Sequence, residues 1–361
     1  MEIEKTSLRK DDIVKKMIKY IEHQAGHKNS EKNLKDLLEV FSLMINQSST
    51  KRREIQDIFN SNRATEMVLY LLSSNQQYES AFFNSLMNFC NAILSGKNRK
   101  VQKTIYKHFK AYKQTEKSFW RLSSSITELT HLLKEGSRKP GQYSQAILTC
   151  SEVLSFIVLC CEGHYIEMQN YFRTQPNLSV QYNFLKEVVD LLAVLSNNIC
   201  KDFFDPMMLA FDALIELVQG PNRANQDFLL KGPILELLSN LLMYTNGQSR
   251  TRLGHTRDEQ HHSELSAWEI RKMKHKVVVL LQGLCELADN PVRVFGRFSK
   301  FLPIFLLLIY LEECYMDYKV VYNSQELVLH SLNKVGAADS SMVRPKMRTT
   351  SRSRPPSTST L

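Results

Sequence analysis

The sequence has few of the residues that a sheet protein needs. It contains 12 glycines and 10 prolines among 361 residues, roughly half the usual share. Sheets with many tight turns use more of both, so the composition favours helices. No stretch of alternating apolar and polar residues is long enough to build a sheet. With 43% hydrophobic and 23% charged residues, we expect most of the chain to fold.

Long hydrophobic segments are also missing. The longest apolar run, Phe301 to Leu311, is interrupted by Pro303 and falls well short of the ~20 residues that span a bilayer. The amino terminus, Met1 to Lys5, lacks the apolar stretch of a signal peptide. We therefore expect a soluble intracellular chain without a transmembrane segment.

The cysteines form no metal-binding or disulfide pattern. There are seven, scattered mostly through apolar segments, and none forms a C-x-x-C pair. An odd, dispersed set argues against a disulfide framework and against a thiolate zinc site. We expect buried cysteines in the helices of a protein from a reducing compartment.

Motifs of catalysis are absent as well. The chain contains neither G-x-G-x-x-G nor G-x-x-x-x-G-K-[ST], the loops that cradle phosphates. It also lacks H-E-x-x-H and G-x-S-x-G. We expect that the protein is not an enzyme.

The net charge of +10 is concentrated in two segments. Lys97 to Ser118 holds eight lysines and arginines against one glutamate, and Val343 to Leu361 adds five basic residues without an acid. The basic stripe 97–117, interleaved with aromatics, is compatible with nucleic acid or an anionic membrane. A solvated helix face with its aromatics in the core is the favoured interpretation, so we expect no nucleic-acid partner. The aromatics are Tyr106, Phe109, Tyr112 and Phe119.

Apolar residues recur at helical spacing along most of the chain. We expect about a dozen or more helices. Asp205 is predicted to be the N-cap of one of them, with Pro206 in its first turn, and Gly220-Pro221 is predicted to end it. Consecutive amphipathic helices bury their apolar faces best by stacking in pairs. The sequence therefore predicts an all-α fold, an armadillo/HEAT-like α-solenoid of many antiparallel helices with a disordered C-terminal tail. A globular helical bundle stays open, because no strict repeat of roughly 40 residues is visible.

Two glutamates occupy unusual positions for a plain scaffold. Glu162 ends an apolar helix directly before Gly163, and Glu216 lies in the last turn of another. Carboxylates are disfavoured at helix C-termini by about 0.3–1 kcal/mol, and a cation reverses that preference. Two carboxylates beside free terminal carbonyls would suit Ca²⁺. Solvated glutamates are the alternative that spacing alone favours.

The segments around these glutamates resemble a known channel family. Cys161 to His164, followed by Met168 to Gln175, is similar to the C-E-G/N-H…Q-N-[YF]-[LF]-R segment of inositol trisphosphate and ryanodine receptors. Glu216 to Pro221, with Asn225-Gln226 after it, resembles their E-Y-x-Q-G-P-C-x-x-N-Q segment. The resemblance is specific over about Leu154 to Asn240. It corresponds to the domain associated with the ryanodine and inositol trisphosphate homology (RIH) domain.

The resemblance implies a function in calcium sensing. In that family the region belongs to a cytosolic armadillo-like solenoid before the pore, at the endoplasmic reticulum membrane, and couples ligand and calcium sensing to the gate. By resemblance, Glu162 and Glu216 match the carboxylates that coordinate Ca²⁺, while His164 and Gln219 match neighbours that shape the site. The family completes the coordination with a group from beyond the pore. This chain would supply a calcium half-site of weak affinity.

The resemblance also implies partners and an organisation. The partner would be the pore-forming or C-terminal segment of a calcium-release channel, with homo-oligomers in the channel. We expect a helical solenoid segment over 1–140, an RIH-associated-like domain over 141–340 and a disordered basic tail over 341–361. The chain departs from the family at Asn222, where a cysteine is usual, and we expect neither a pore nor an inositol-phosphate-binding domain in residues 1–361. A free-standing armadillo-type interaction scaffold without ion binding is the alternative.

Overall fold

The computed structural model describes residues 10–25, 31–47, 49–74, 76–136, 142–245, 264–286, 291–302, 305 and 307–312. Every regular element within these ranges is a helix, and no strand occurs in them. The prediction of an all-α fold is confirmed. The predicted disordered tail, 341–361, lies outside the described residues.

The helices are numbered in chain order. They are α1 (Lys10–Gln24), α2 (Glu31–Asn46), α3 (Arg52–Ser61), α4 (Ala64–Ser73), α5 (Ser80–Leu94), α6 (Arg99–Ala111), α7 (Thr115–Glu135), α8 (Gln142–Cys161), α9 (Ile166–Arg173), α10 (Phe184–Ser196), α11 (Phe204–Val218), α12 (Arg223–Lys231), α13 (Ile234–Leu242), α14 (Ala267–Cys285) and α15 (Pro291–Phe301). A short 3₁₀ helix, Lys201–Phe203, precedes α11. Residues up to Leu306 form one compact unit, and a second begins at Leu307. The features below lie in the first unit, and the domain boundary between residues 140 and 141 stays a prediction.

The helices pack in a repeating pattern of three. Four repeats follow one another, formed by α3–α5, α6–α8, α9–α11 and α12–α14. The third helices of successive repeats pack side by side, α2 extends that row, and the second helices form a row of their own. Such stacking of helical repeats is the arrangement of an armadillo-like solenoid, as the sequence predicts.

The row of third helices carries much of the apolar core. Its helix α8 packs against α5, α7 and α11. The segment Tyr143–Cys161 is the one described helix that is long and apolar enough to cross a membrane by length and composition. Many of its side chains, including Val153, Phe156 and Ile157, are fully buried against neighbouring helices, as expected for a core helix.

A buried glutamine in each first helix marks the repeat. Its side-chain amide donates two hydrogen bonds, of 2.7 to 3.1 Å, to carbonyls three residues apart at the end of the third helix. These carbonyls belong to the last turn and its boundary, where helical partners are lacking. The glutamines and their acceptors are Gln56 with Ala92 and Ser95, Gln102 with Leu159 and Glu162, Gln169 with Glu216 and Gln219, and Gln226 with Gly283 and Glu286.

Each third helix of the first three repeats is followed by a turn. In repeats two and three its glycine, Gly163 or Gly220, has a φ of 81° or 106°, a left-handed conformation that glycine adopts without steric cost. The glycine stands six positions before the glutamine of the following repeat, as Gly220 does before Gln226. The sequence has no strict period of roughly 40 residues. The repeat is visible instead as a glycine followed by a glutamine six positions later.

Helix boundaries largely follow the sequence signals. Gly220-Pro221 follows the end of α11, as predicted. The prediction that Asp205 caps this helix is wrong, because the 3₁₀ helix leads directly into α11 and Phe203 is the residue at the cap. Asp205 lies in the first turn instead, where its negative charge still favours the helix.

The basic stripe 97–117 covers the whole of α6 and the start of α7. Its lysines Lys103, Lys107 and Lys110 are exposed, whereas Phe109 and Phe119 are fully buried. The exposed lysines and buried phenylalanines agree with a solvated helix face. The prediction that the aromatics lie in the core is wrong for Tyr112, which is exposed, and Tyr106 is only partly buried. The six cysteines within the described ranges are free, and all except the partly exposed Cys285 are buried, as the sequence predicts.

Candidate calcium site

The packing of repeats two and three brings Glu162 and Glu216 together. Glu162 directly follows α8, and Glu216 lies in the last turn of α11, the neighbour of α8 in the row of third helices. The negative charge of Glu162 contributes to the raised pKa of Glu216, so the two carboxylates are close enough for their charges to interact.

Glu216 is a partly buried carboxylate. Burial raises its pKa to about 7, the charge of Glu162 adds to that effect, and Lys97 opposes it. Its Oε2 atom is inaccessible to solvent and has no hydrogen-bond partner. A buried acceptor without a donor is costly, and a nearby cation is one way to satisfy it.

A lysine lies at the same place. The Nζ atom of Lys97 is 3.9 Å from Oε1 of Glu162, and the two side chains are 64% and 22% exposed. Lys97 comes from the turn after α5, one repeat earlier in the chain. In the sequence Lys97 is part of the basic stripe, and nothing in the local sequence connects it with a glutamate 65 positions away.

His164 and Gln219 lie at the same two helix ends as the carboxylates, each within three residues of one of them. His164 has a left-handed φ of 61° and lies against Gly220, where an added Cβ atom would be 2.6 Å from the Cβ of His164. Gln219 caps the carboxyl end of α11, three residues after Glu216. The four residues predicted for the site therefore come from two adjacent helix ends.

The carbonyl groups at these helix ends are not free, contrary to expectation. The backbone oxygen of Glu162 accepts a hydrogen bond of 2.9 Å from Gln102, and that of Glu216 accepts one of 2.7 Å from Gln169. The glutamines were not recognised as partners because they lie 47 to 60 positions from these acceptors. The main oxygen ligands that the site can provide for a cation are therefore the two carboxylates.

These residues fit half of a calcium site. Calcium takes roughly six to eight oxygen ligands, and two carboxylates supply about four. Among the described residues, no group of three or more His, Cys, Asp and Glu is placed to hold a metal ion. The unpartnered Oε2 of Glu216 and the half-buried Glu162 suit a hard cation, but further ligands must come from elsewhere.

The departure from the family at Asn222 has a structural explanation. Its side chain caps α12 by accepting a hydrogen bond from the backbone of Asn225. Its amide donates hydrogen bonds of 3.0 Å to the side-chain oxygens of Gln169 and Asn170. Asn222 thus holds the glutamine that binds the end of α11, and supports the site from the next repeat.

Fold and site together define a helical solenoid segment with a carboxylate pair at one junction between repeats. Residues 144–242 match the family model described as RyR and IP3R Homology associated. The match runs from α8 to α13 and includes Glu162, His164, Glu216 and Gln219. The predicted resemblance to the calcium-release channel family is confirmed over this stretch.

Proposed function

We propose that the chain is a regulatory, calcium-sensing segment of a calcium-release channel of the inositol trisphosphate or ryanodine receptor type. Its place would be the cytosolic face of the endoplasmic reticulum membrane, and its action conformational, not enzymatic. The family match over residues 144–242 supports the channel context. The unpartnered carboxylate oxygen of Glu216 beside Glu162 is the observation that carries the calcium assignment.

The sensing action follows from electrostatics at the two helix ends. Bound calcium would supply the positive charge that two neighbouring carboxylates lack. Glu162 and Glu216 then hold the ends of α8 and α11 in one arrangement, whereas their repulsion alone favours a wider separation. Because α8 and α11 are neighbours in the row of third helices, a shift between them alters the stacking of repeats two and three.

The missing ligands would come from a partner. We propose that the pore-forming or C-terminal segment of the channel provides them, within a homo-oligomer. The site would then bind calcium tightly only where both segments meet, so that calcium binding and the contact between the segments favour each other. Nucleic acid is not proposed as a partner, because two of the four aromatics of the basic stripe, Phe109 and Phe119, lie in the core and Tyr112 is the one exposed aromatic among them.

Calorimetric titration of the full chain with Ca²⁺ tests the assignment. We expect weak binding, with a dissociation constant of roughly 0.1–1 mM, because ligands are few. The variant Glu162→Gln/Glu216→Gln should lose it. The control Glu167→Gln should keep it, because Glu167 lies in the first turn of α9 and is exposed. Binding that survives in the double variant would overturn the assignment of these residues.

A protein-interaction scaffold without ion binding is the second candidate. The observation that favours it is Lys97, whose ammonium already faces Glu162. This alternative predicts that millimolar Ca²⁺ leaves the thermal unfolding of the chain unchanged. It also predicts that Glu216→Gln leaves the binding of any partner protein unaffected.

A further inference from the structure

Lys97 is in a position to act on the candidate calcium site. Its ammonium is 3.9 Å from Oε1 of Glu162, and its positive charge also acts on Glu216. The contact is partly exposed, since the lysine side chain is 64% accessible. An exposed pair of this kind is held loosely, so the lysine can move away without disturbing the core.

The backbone directs Lys97 towards this place. Lys97 has a left-handed φ of 61°, the same value as His164 at the corresponding position of the next turn. Both side chains lie against the glycine of the following turn: an added Cβ atom on Gly163 would be 3.9 Å from Cδ of Lys97, and one on Gly220 would meet His164. Arg53 fixes the turn by donating a hydrogen bond of 3.0 Å to the carbonyl of Lys97.

We propose that Lys97 is a built-in counter-ion of the Glu162–Glu216 pair, which Ca²⁺ must displace, and that it thereby sets the calcium threshold of the site. This inference rests on the proposed function and adds its regulation. In the calcium-free state the ammonium relieves the repulsion between the carboxylates. With the divalent ion in place, the same ammonium repels it and has to withdraw into solvent.

Calcium titrations of the full chain with variants at Lys97 test the inference. Lys97→Gln removes the competing charge, and we expect the affinity for Ca²⁺ to rise roughly three- to tenfold. Lys97→Arg keeps the charge and should keep the affinity of the parent chain. Lys107→Gln makes the same change of net charge on the exposed face of α6, and should leave the affinity unchanged.

The outcomes separate this inference from the proposed function. If Glu216→Gln abolishes binding while Lys97→Gln binds Ca²⁺ as the parent does, the counter-ion role is overturned and the site stands. If neither the parent nor Lys97→Gln binds Ca²⁺, the site and the inference fall together. Binding by Lys97→Gln with little or none by the parent would support both.

Discussion

In every repeat, the glutamine of the first helix binds two carbonyls at the end of the third helix, and we call this pair of hydrogen bonds the glutamine clamp. Because the clamp is the same in all four repeats, the three junctions between successive repeats can be compared position by position. Glu162 and Glu216 lie at the junction of repeats two and three, where the charge of Glu162 acts on Glu216. The matching positions are Ser95 and Leu159 at the first junction, and Gln219 and Gly283 at the third. The same backbone arrangement thus occurs at all three junctions, but only the junction of repeats two and three has carboxylates at both positions. The candidate function therefore depends on the side chains of Glu162 and Glu216, while the backbone around them is common to the repeats.

Removing one glutamine clamp should lower the free energy of unfolding more than the other substitutions considered below. Gln169→Ala deletes two hydrogen bonds to the end of α11 and leaves its carbonyls and the amide of Asn222 without that partner. We expect a loss of about 2–4 kcal/mol in the free energy of unfolding, because these groups are buried. Urea denaturation measures it. The exposed Gln145→Ala on α8 should cost less than about 0.5 kcal/mol, and equal losses would refute the clamp.

Alanine substitutions of Gly220 and Gly96 should differ in their effect on stability, because the two turns pack differently. In Gly220→Ala the new Cβ atom would meet His164 at 2.6 Å in addition to the strain of a φ of 106°, and we expect a cost of about 2–3 kcal/mol. Gly96→Ala has a φ of 75° and open space, and should cost about 1 kcal/mol. Denaturant melts of both variants give the difference. Identical costs would contradict the packing of His164 on Gly220.

A smaller effect is expected for Glu187, a partly buried acid outside the candidate site. Burial raises its pKa from 4.5 to about 7, against the opposing hydrogen bond from Ser123. The folded chain holds this proton more tightly than the unfolded chain, so stability falls as the pH rises from about 4.5 to 7. Glu187→Gln should therefore gain on the order of 1–2 kcal/mol at pH 8 and nothing at pH 4.5.

This variant also sharpens the comparison with Glu216. Both acids owe their raised pKa first to burial, but a neighbouring carboxylate is the second cause for Glu216 and only a minor one for Glu187. Unfolding melts of Glu187→Gln with and without Ca²⁺ should show the same calcium-induced shift as the parent chain. If Glu187→Gln lost the calcium-induced shift in unfolding, the ion would have to bind near Glu187 and not at the junction of repeats two and three.

Much of the fold could be predicted from apolar periodicity, because the helices bury stripes that repeat every three to four residues. The repeat itself was missed, since its marks are single residues at uneven distances. Gln56, Gln102, Gln169 and Gln226 are 46, 67 and 57 positions apart. A glycine six positions before a glutamine, as in Gly96 and Gln102, is the signal that could have revealed it.

The candidate site was predicted less completely than the fold. Glu162 and Glu216 were found through their odd positions at helix ends and through the family resemblance. Their backbone carbonyls were expected to be free, because the glutamines that bind them come from other helices. Lys97 was missed for the same reason, since a contact made through the stacking of turns leaves no trace in local spacing.

The most direct test of the central claim is a crystal structure of the chain grown with Tb³⁺, a stand-in for Ca²⁺ with a strong anomalous signal. We expect an anomalous peak between the carboxylates of Glu162 and Glu216, with the side chain of Lys97 turned away into solvent. Crystals of Glu162→Gln/Glu216→Gln should lack that peak. An empty junction in the parent chain, with Lys97 still on Glu162, would contradict the account.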